Sequence, residues 1–148
     1  MKKLATLLAI GTSLALPAGA LAKTFDHEGQ IVGDKATRVT LGVKVEKGDP
    51  KKITDFKARE VMTRCGKDRE PARITFTLLT SLRVRGGNEF RARLSDGEGG
   101  SLRISGEVRK GGRITEGRLR TSEFRSHSGS TEGQLCRTPK QRFRTSVA

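Results

Sequence analysis

From residue 39 onward, apolar and polar residues alternate in short blocks punctuated by glycine. Val39, Leu41, Val43 and Val45 are interleaved with Thr40, Gly42 and Lys44, and the block closes on the turn-forming Gly48-Asp49-Pro50. Successive side chains of a strand point to opposite sides, so a period of two sorts them between a dry face and a wet one. The same period recurs in Ile74, Phe76 and Leu78; in Leu82 and Val84; in Phe90, Ala92 and Leu94; and in Leu102, Ile104 and Val108. Weaker strands are expected around Phe25, from Ile53 to Cys65, over Ile114 to Leu119 and from Phe143 to Val147. A break in parity at Leu78-Leu79 predicts a bulge or bend.

Glycine pairs fall between these blocks at Gly86-Gly87, Gly99-Gly100 and Gly111-Gly112, where antiparallel strands can reverse. Consecutive strands joined by tight turns are usually neighbours, so residues 74 to 120 are expected to form one antiparallel sheet. A second layer must cover its apolar face, and the strands before residue 66 and after residue 134 are the material for it. The pattern predicts an all-β fold, an antiparallel β-sandwich of roughly 7–9 short strands. Asp55 to Cys65 reads as a strand with a bulge, with a short helix capped by Thr54 or Asp55 as the rival. Thr121 to Gly133, rich in Ser, Thr and Gly, is expected to be an exposed, mobile loop anchored only by Phe124.

The first 22 residues read differently. Lys2 and Lys3 precede an apolar run from Leu4 to Leu16, Pro17 and Gly19 follow, and Ala20-Leu21-Ala22 supplies small residues for cleavage. The run is shorter than the roughly 20 residues a spanning helix needs, so an export signal over residues 1–22 is expected, leaving one domain over residues 23–148 and a secreted protein. In that part Leu, Ile, Val and Phe total 27 of 126 residues, about 21%, at the edge of what a highly charged chain needs to fold. Composition therefore leaves disorder open, and the alternation decides for a fold. Cys65 and Cys136 are the two cysteines, and an exported chain meets oxidising surroundings, so a disulfide between them is expected. On the chain-entropy account such a bridge contributes about 4 kcal/mol.

The formal net charge is +14; the leading 22 residues hold two lysines and no acid, so residues 23–148 carry +12. A field of that sign attracts polyanions. If Phe90, Ala92, Leu94, Leu102 and Ile104 face the core, Arg91, Arg93 and Arg103 face out, joined by Arg83, Arg85, Arg118 and Arg120 on neighbouring strands. Guanidinium forks bind phosphate, sulfate and carboxylate, so the expected partners are an acidic cell-wall polymer, extracellular nucleic acid or an anionic lipid surface. Glu89, Glu107 and Glu116 partly neutralise the face, and a merely solvated sheet face is the plain alternative. With no Trp and no Tyr, stacking on bases or sugars is not expected. A monomer is expected.

Candidates for chemistry are few. His27 stands between Asp26 and Glu28, but neighbouring strand residues point to opposite faces and cannot readily share one site. His127 in Ser126-His127-Ser128 invites a hydrolase reading, which needs a rigid nucleophile, base and orienting acid. Asp96-Gly97-Glu98-Gly99 offers oxygen ligands for calcium, though a solvated hairpin tip is commoner. No phosphate loop, dinucleotide fingerprint or zinc-protease helix occurs, so neither cofactor nor metal is implied.

Several motifs carry a resemblance: Phe25-x-x-x-Gly29, a valine-rich second strand, Lys51-Lys52-Ile53-x-x-Phe56 leading to a cysteine, glycine-punctuated hairpins, and Cys136 before Arg142-Phe143-Arg144-Thr145. Together they resemble the small secreted β-sandwich proteins frequent in high-GC Gram-positive bacteria. The resemblance spans residues 23–148 and implies fold and compartment, with no catalytic residues to carry over. It departs at Phe143, where that group commonly has Trp, and in its more basic charge. The expectation is a non-catalytic binding or structural envelope protein. A small hydrolase using His127 or His27 and a secreted enzyme inhibitor presenting residues 121–133 are the alternatives.

Overall fold

The computed structural model describes residues 22–127 and 129–148. The expected export signal lies outside them except for Ala22. Eleven strands follow in order: β1 (Lys23–Ile31), β2 (Asp34–Glu46), β3 (Asp49–Cys65), β4 (Glu70–Thr77), β5 (Leu82–Arg85), β6 (Glu89–Ser95), β7 (Ser101–Arg109), β8 (Ile114–Thr121), β9 (Phe124–Arg125), β10 (Leu135–Arg137) and β11 (Gln141–Val147). The fold is all-β and antiparallel, as the alternation requires. The count exceeds 7–9 because β9 and β10 are short pieces in the segment before β11.

The two layers belong to one sheet. Its strands run β2-β1-β11-β8-β7-β6-β5-β3, and β3 pairs back onto β2, so eight strands form a ring whose opposite walls face each other. Sequence pattern shows which side is dry but not whether a sheet ends in free edges or returns to itself; that rests on pairings between distant residues. Inside lie Val39, Leu41, Val43 and Val45 from β2, Ile53, Phe56, Ala58 and Val61 from β3, Phe90 from β6, Ile104 and Val108 from β7, Leu119 from β8 and Phe143 from β11. Phe56 and Phe143 meet edge to face across the interior, ring centres 5.5 Å apart.

β3 makes this closure possible. Its 17 residues pair with β2 along one edge and with β5, then β4, along the other. Asp55 and Glu60 have φ of 52° and 56°, and the register shifts between Ala58 and Val61 in the β4 pairing, so the stretch is a bulged strand and not a helix. The meander of β5 to β8 forms as the glycine pairs predict. Ile74 to Thr77, expected in the same run, departs from it: β4 pairs with β3, not β5, and the chain leaves the sheet at Leu78-Leu79, where Leu79 is 95% exposed.

Thr121 to Gly133 is more ordered than its composition suggests. β9 pairs with β10, Gly133 N–H donates to the Ser126 carbonyl, and the Phe124 ring packs against Phe76 at 5.9 Å. Cys65, at the end of β3, lies opposite Cys136 in β10 with their Cα atoms 4.0 Å apart, and the two are bonded. This bridge ties the ring to the β9–β10 hairpin. Replacing both cysteines by alanine is expected to lower unfolding free energy by about 2–4 kcal/mol, read as a lowered urea midpoint with a steeper slope, because the unbridged unfolded chain exposes more surface.

Candidate arginine-lined binding surface

Alternation along four adjacent strands fixes the outer surface of one wall. Phe90, Ile104, Leu119 and Phe143 point inward, which turns Arg91 and Arg93 of β6, Arg103 of β7, Arg118 and Arg120 of β8, and Arg142 and Arg144 of β11 to solvent. Pairing then aligns them in rows across the strands. Arg93 stands opposite Arg103, and Arg103 opposite Arg120. The next row runs Arg91, Ser105, Arg118 and Arg142, and the one after it Arg85, Glu89, Glu107, Glu116 and Arg144. Arg83 is exposed on the same side of β5.

All seven arginines singled out from sequence are exposed on this wall. Among the described residues none of the seven has a carboxylate within ion-pair distance. Glu116 is instead shared by Arg109 at 3.7 Å and Arg144 at 3.5 Å, and Glu107 lies 3.5 Å from Arg109. Sequence reasoning left out Arg142 and Arg144. Their signal was present, since they flank Phe143 at a period of two, but the pairing of β11 with β8 that brings them to this wall is non-local.

Between the second and third rows the surface is hollowed into a groove of about 950 Å³, lined by Arg91, Arg118 and Arg142 on one side and on the other by Glu89, Glu107 and Glu116 together with Arg85, Arg109 and Arg144. Gly106 and Gly117 face each other beneath it, flanked by Phe90 and Phe143. A Cβ on Gly106 would lie 2.6 Å from the Phe90 ring tip, and one on Gly117 2.5 Å from that of Phe143. Glycine at these two places lets the rings lie flat against the inner side of the sheet.

The histidines occupy different sites. His27 points into the barrel and is 3% exposed, while Asp26 and Glu28 point out. Its Nε2 lies 2.6 Å from the Gly112 carbonyl, which can only accept, so Nε2 carries the proton and Nδ1 accepts from the Thr145 hydroxyl at 3.1 Å. Gly112, at φ 97°, tucks under Val45 and Phe25 to present that carbonyl. The ring closes one end of the core and stays neutral: burial holds its pKa below the ordinary 6.5, against the raising effects of the Gly112 carbonyl and Asp26.

His127 is exposed at the other end, where its Nε2 donates to the Glu98 carboxylate at 2.7 Å. The pair stands at the rim of a cleft of about 550 Å³ lined by Phe76, Leu78, Leu94, Leu102 and Phe124. The Ser126 hydroxyl lies 2.7 Å from Thr131. Asp96 caps its own turn, accepting from the N–H groups of Glu98 and Gly100. Among the described residues, no three His, Cys, Asp or Glu side chains are grouped to hold a metal ion.

The buried neutral His27 couples stability to pH. Below pH 6.5 the unfolded chain takes up a proton that the folded chain resists, so stability is lost as pH falls toward the depressed folded value. His27→Gln, which retains a donor for Gly112, is expected to lose less stability between pH 7.5 and 5 than the parent. Equal losses in urea titrations at the two pH values would remove His27 as the coupled group.

Compared with known proteins, the chain matches no protein-family model, no curated protein and no solved structure.

Proposed function

We propose that this is an exported, non-catalytic protein that associates with polyanions through the outer wall of β6, β7, β8 and β11. The observation that carries the reading is the row Arg93, Arg103 and Arg120, three like charges directly opposite one another on adjacent strands with no carboxylate among the described residues within ion-pair distance. Cross-strand like charges destabilise a sheet, and an anion laid across them relieves the repulsion. A further row with Arg91, Arg118 and Arg142 extends the field beyond what one small anion needs. Export is supported by the leading basic and apolar segment of the sequence and by the Cys65–Cys136 bond, which suits an oxidising compartment. No helix among the described residues is long and apolar enough to cross a membrane.

Replacing Arg93, Arg103 and Arg120 by Gln is expected to move elution from heparin or DNA resin to lower salt. On duplex DNA it should reduce the slope of log affinity against log salt by about 2–3, since each phosphate contact contributes about 0.9. A control of equal charge change, Lys35, Lys47 and Lys67 to Gln, all exposed and off this wall, should shift elution much less. Equal shifts in the two triples, or parent protein eluting no later than an unrelated protein of the same charge, would sink the reading.

A second reading rests on the His127–Glu98 pair. A carboxylate oriented onto an exposed imidazole beside an apolar cleft is an arrangement that can activate water for ester hydrolysis. The non-catalytic reading expects no turnover of short-chain nitrophenyl esters above buffer. A rate present in the parent and absent in His127→Ala would replace it with the hydrolase.

A further inference from the structure

We infer that the apolar cleft at the His127 end of the barrel binds a linear, uncharged amphiphile, a single alkyl chain with a hydroxyl head. The site is separate from the outer arginine wall, and the inference needs no turnover.

The cleft exists because the wall splits. β3 pairs with β5 only at Lys52–Arg83 and Ile53–Leu82, and β4 takes over from Lys57; β6 pairs with β5 only at Val84–Phe90 and Arg85–Glu89. No pairing joins β4 to β6, and the inner side of the barrel opens between them. The side chains left there belong by period to the interior. Phe76 follows Ile74 two residues on, Leu94 follows Phe90 and Ala92, and Leu102 precedes Ile104. Ile74, Phe90 and Ile104 are buried, whereas Phe76, Leu94 and Leu102, with Leu78 and Phe124, are only half-buried where they line the cleft. Apolar surface that faces inward yet stays wet is stabilised by an apolar occupant that removes it from water. The volume of about 550 Å³ is that of a small-molecule site and too small for a folded partner.

Shape and rim narrow the ligand. The opening runs along β4 from Ile74 to Leu78, about 14 Å at the rise of a strand, which favours a linear chain. An inserted peptide strand would need a ladder. Leu78 N–H donates to the Phe56 carbonyl, and alternation then leaves only the Thr75 and Thr77 backbone groups turned away from β3 in this stretch. The charged groups lining the cleft are all bonded within the chain: Glu98 accepts from His127 Nε2 at 2.7 Å, Asp96 from the N–H groups of Glu98 and Gly100, and Arg125 donates to the Gly133 carbonyl at 2.6 Å. With two carboxylates beside a guanidinium and an imidazole, a head of either charge meets a group that repels it and must displace a contact to be paired. An uncharged head does neither. The hydroxyls of Thr75, Thr77 and Ser95, which can donate and accept, suit a hydroxyl head.

The test compares alkanols from hexanol to dodecanol with the carboxylate and the ammonium of each chain, titrated into the protein by calorimetry below their micelle concentrations. Alkanol affinity should rise about fourfold for each added methylene until the cleft is filled, and each alcohol should bind more tightly than either ion of the same chain. Leu94→Trp, which fills the cleft, should weaken the longest alcohol about tenfold, the worth of roughly two methylenes of contact, while Leu79→Ser, at an exposed position outside it, should leave binding unchanged. Unchanged melting temperatures verify that both variants are folded. NMR of the parent gives a reading that needs no variant: on adding alkanol, signals of Phe76, Leu94, Leu102 and Phe124 should shift and those of Phe143 should not. Elution from heparin resin should stay where it is, because the arginines stand on the other side of the strands. Tighter binding of either ion, no gain with chain length, or shifts confined to the outer wall would overturn the inference without touching the arginine wall. So would a parent that is dimeric at the concentrations used and turns monomeric with Leu94→Trp, since a second copy would then fill the cleft.

Discussion

The return of β3 onto β2 is the contact on which the molecule depends. Eight strands left in line would have two edges of unpaired backbone groups and an apolar face with nothing opposite it. By pairing with β2 on one edge and with β5 and β4 on the other, β3 removes those edges and makes the sheet its own cover. The strand is long enough to do so and bends where Asp55 and Glu60 take positive φ. Past that bend it leaves the ring and carries Cys65 to β10, so the disulfide fastens the open end, where β4 diverges from β5.

Closure decides where charge can go. Once alternate residues are committed to a dry interior, every arginine between them is driven to the outer surface, and the ladder spacing sets them side by side across strands. Their mutual repulsion is a cost of the outer face that the interior packing outweighs. Glycines 106 and 117 shape the same wall from within: by admitting the Phe90 and Phe143 rings against the backbone, they coincide with the hollow between the second and third rows of charged side chains. Core packing and the candidate surface are thus two sides of four strands.

The ends of the barrel treat their histidines in opposite ways. At one end His27 is desolvated and held as the Nε2–H tautomer by Gly112 and Thr145, an imidazole spent on closing the core. At the other, His127 reaches across 29 residues to Glu98 in solvent, at the mouth of the cleft left by the divergence of β4. Environment separates two chemically identical side chains into a structural group and an accessible one.

Much of this was legible in the alternation itself. The inward set from Val39 to Phe143, the hairpins at the glycine pairs, the bulged strand through Asp55 to Cys65, the Cys65–Cys136 bond and the outward arginines all follow from local pattern and compartment chemistry. What the sequence could not supply depends on pairings between remote segments: that the two layers are one closed sheet, that β11 adds Arg142 and Arg144 to the arginine wall, that Ile74 to Thr77 joins β3, and that Glu98 meets His127. A period of two states which side of a strand is dry, because that is a property of neighbouring residues. Which strand lies beside it is decided by packing of the whole chain, and only the tertiary structure contains that answer.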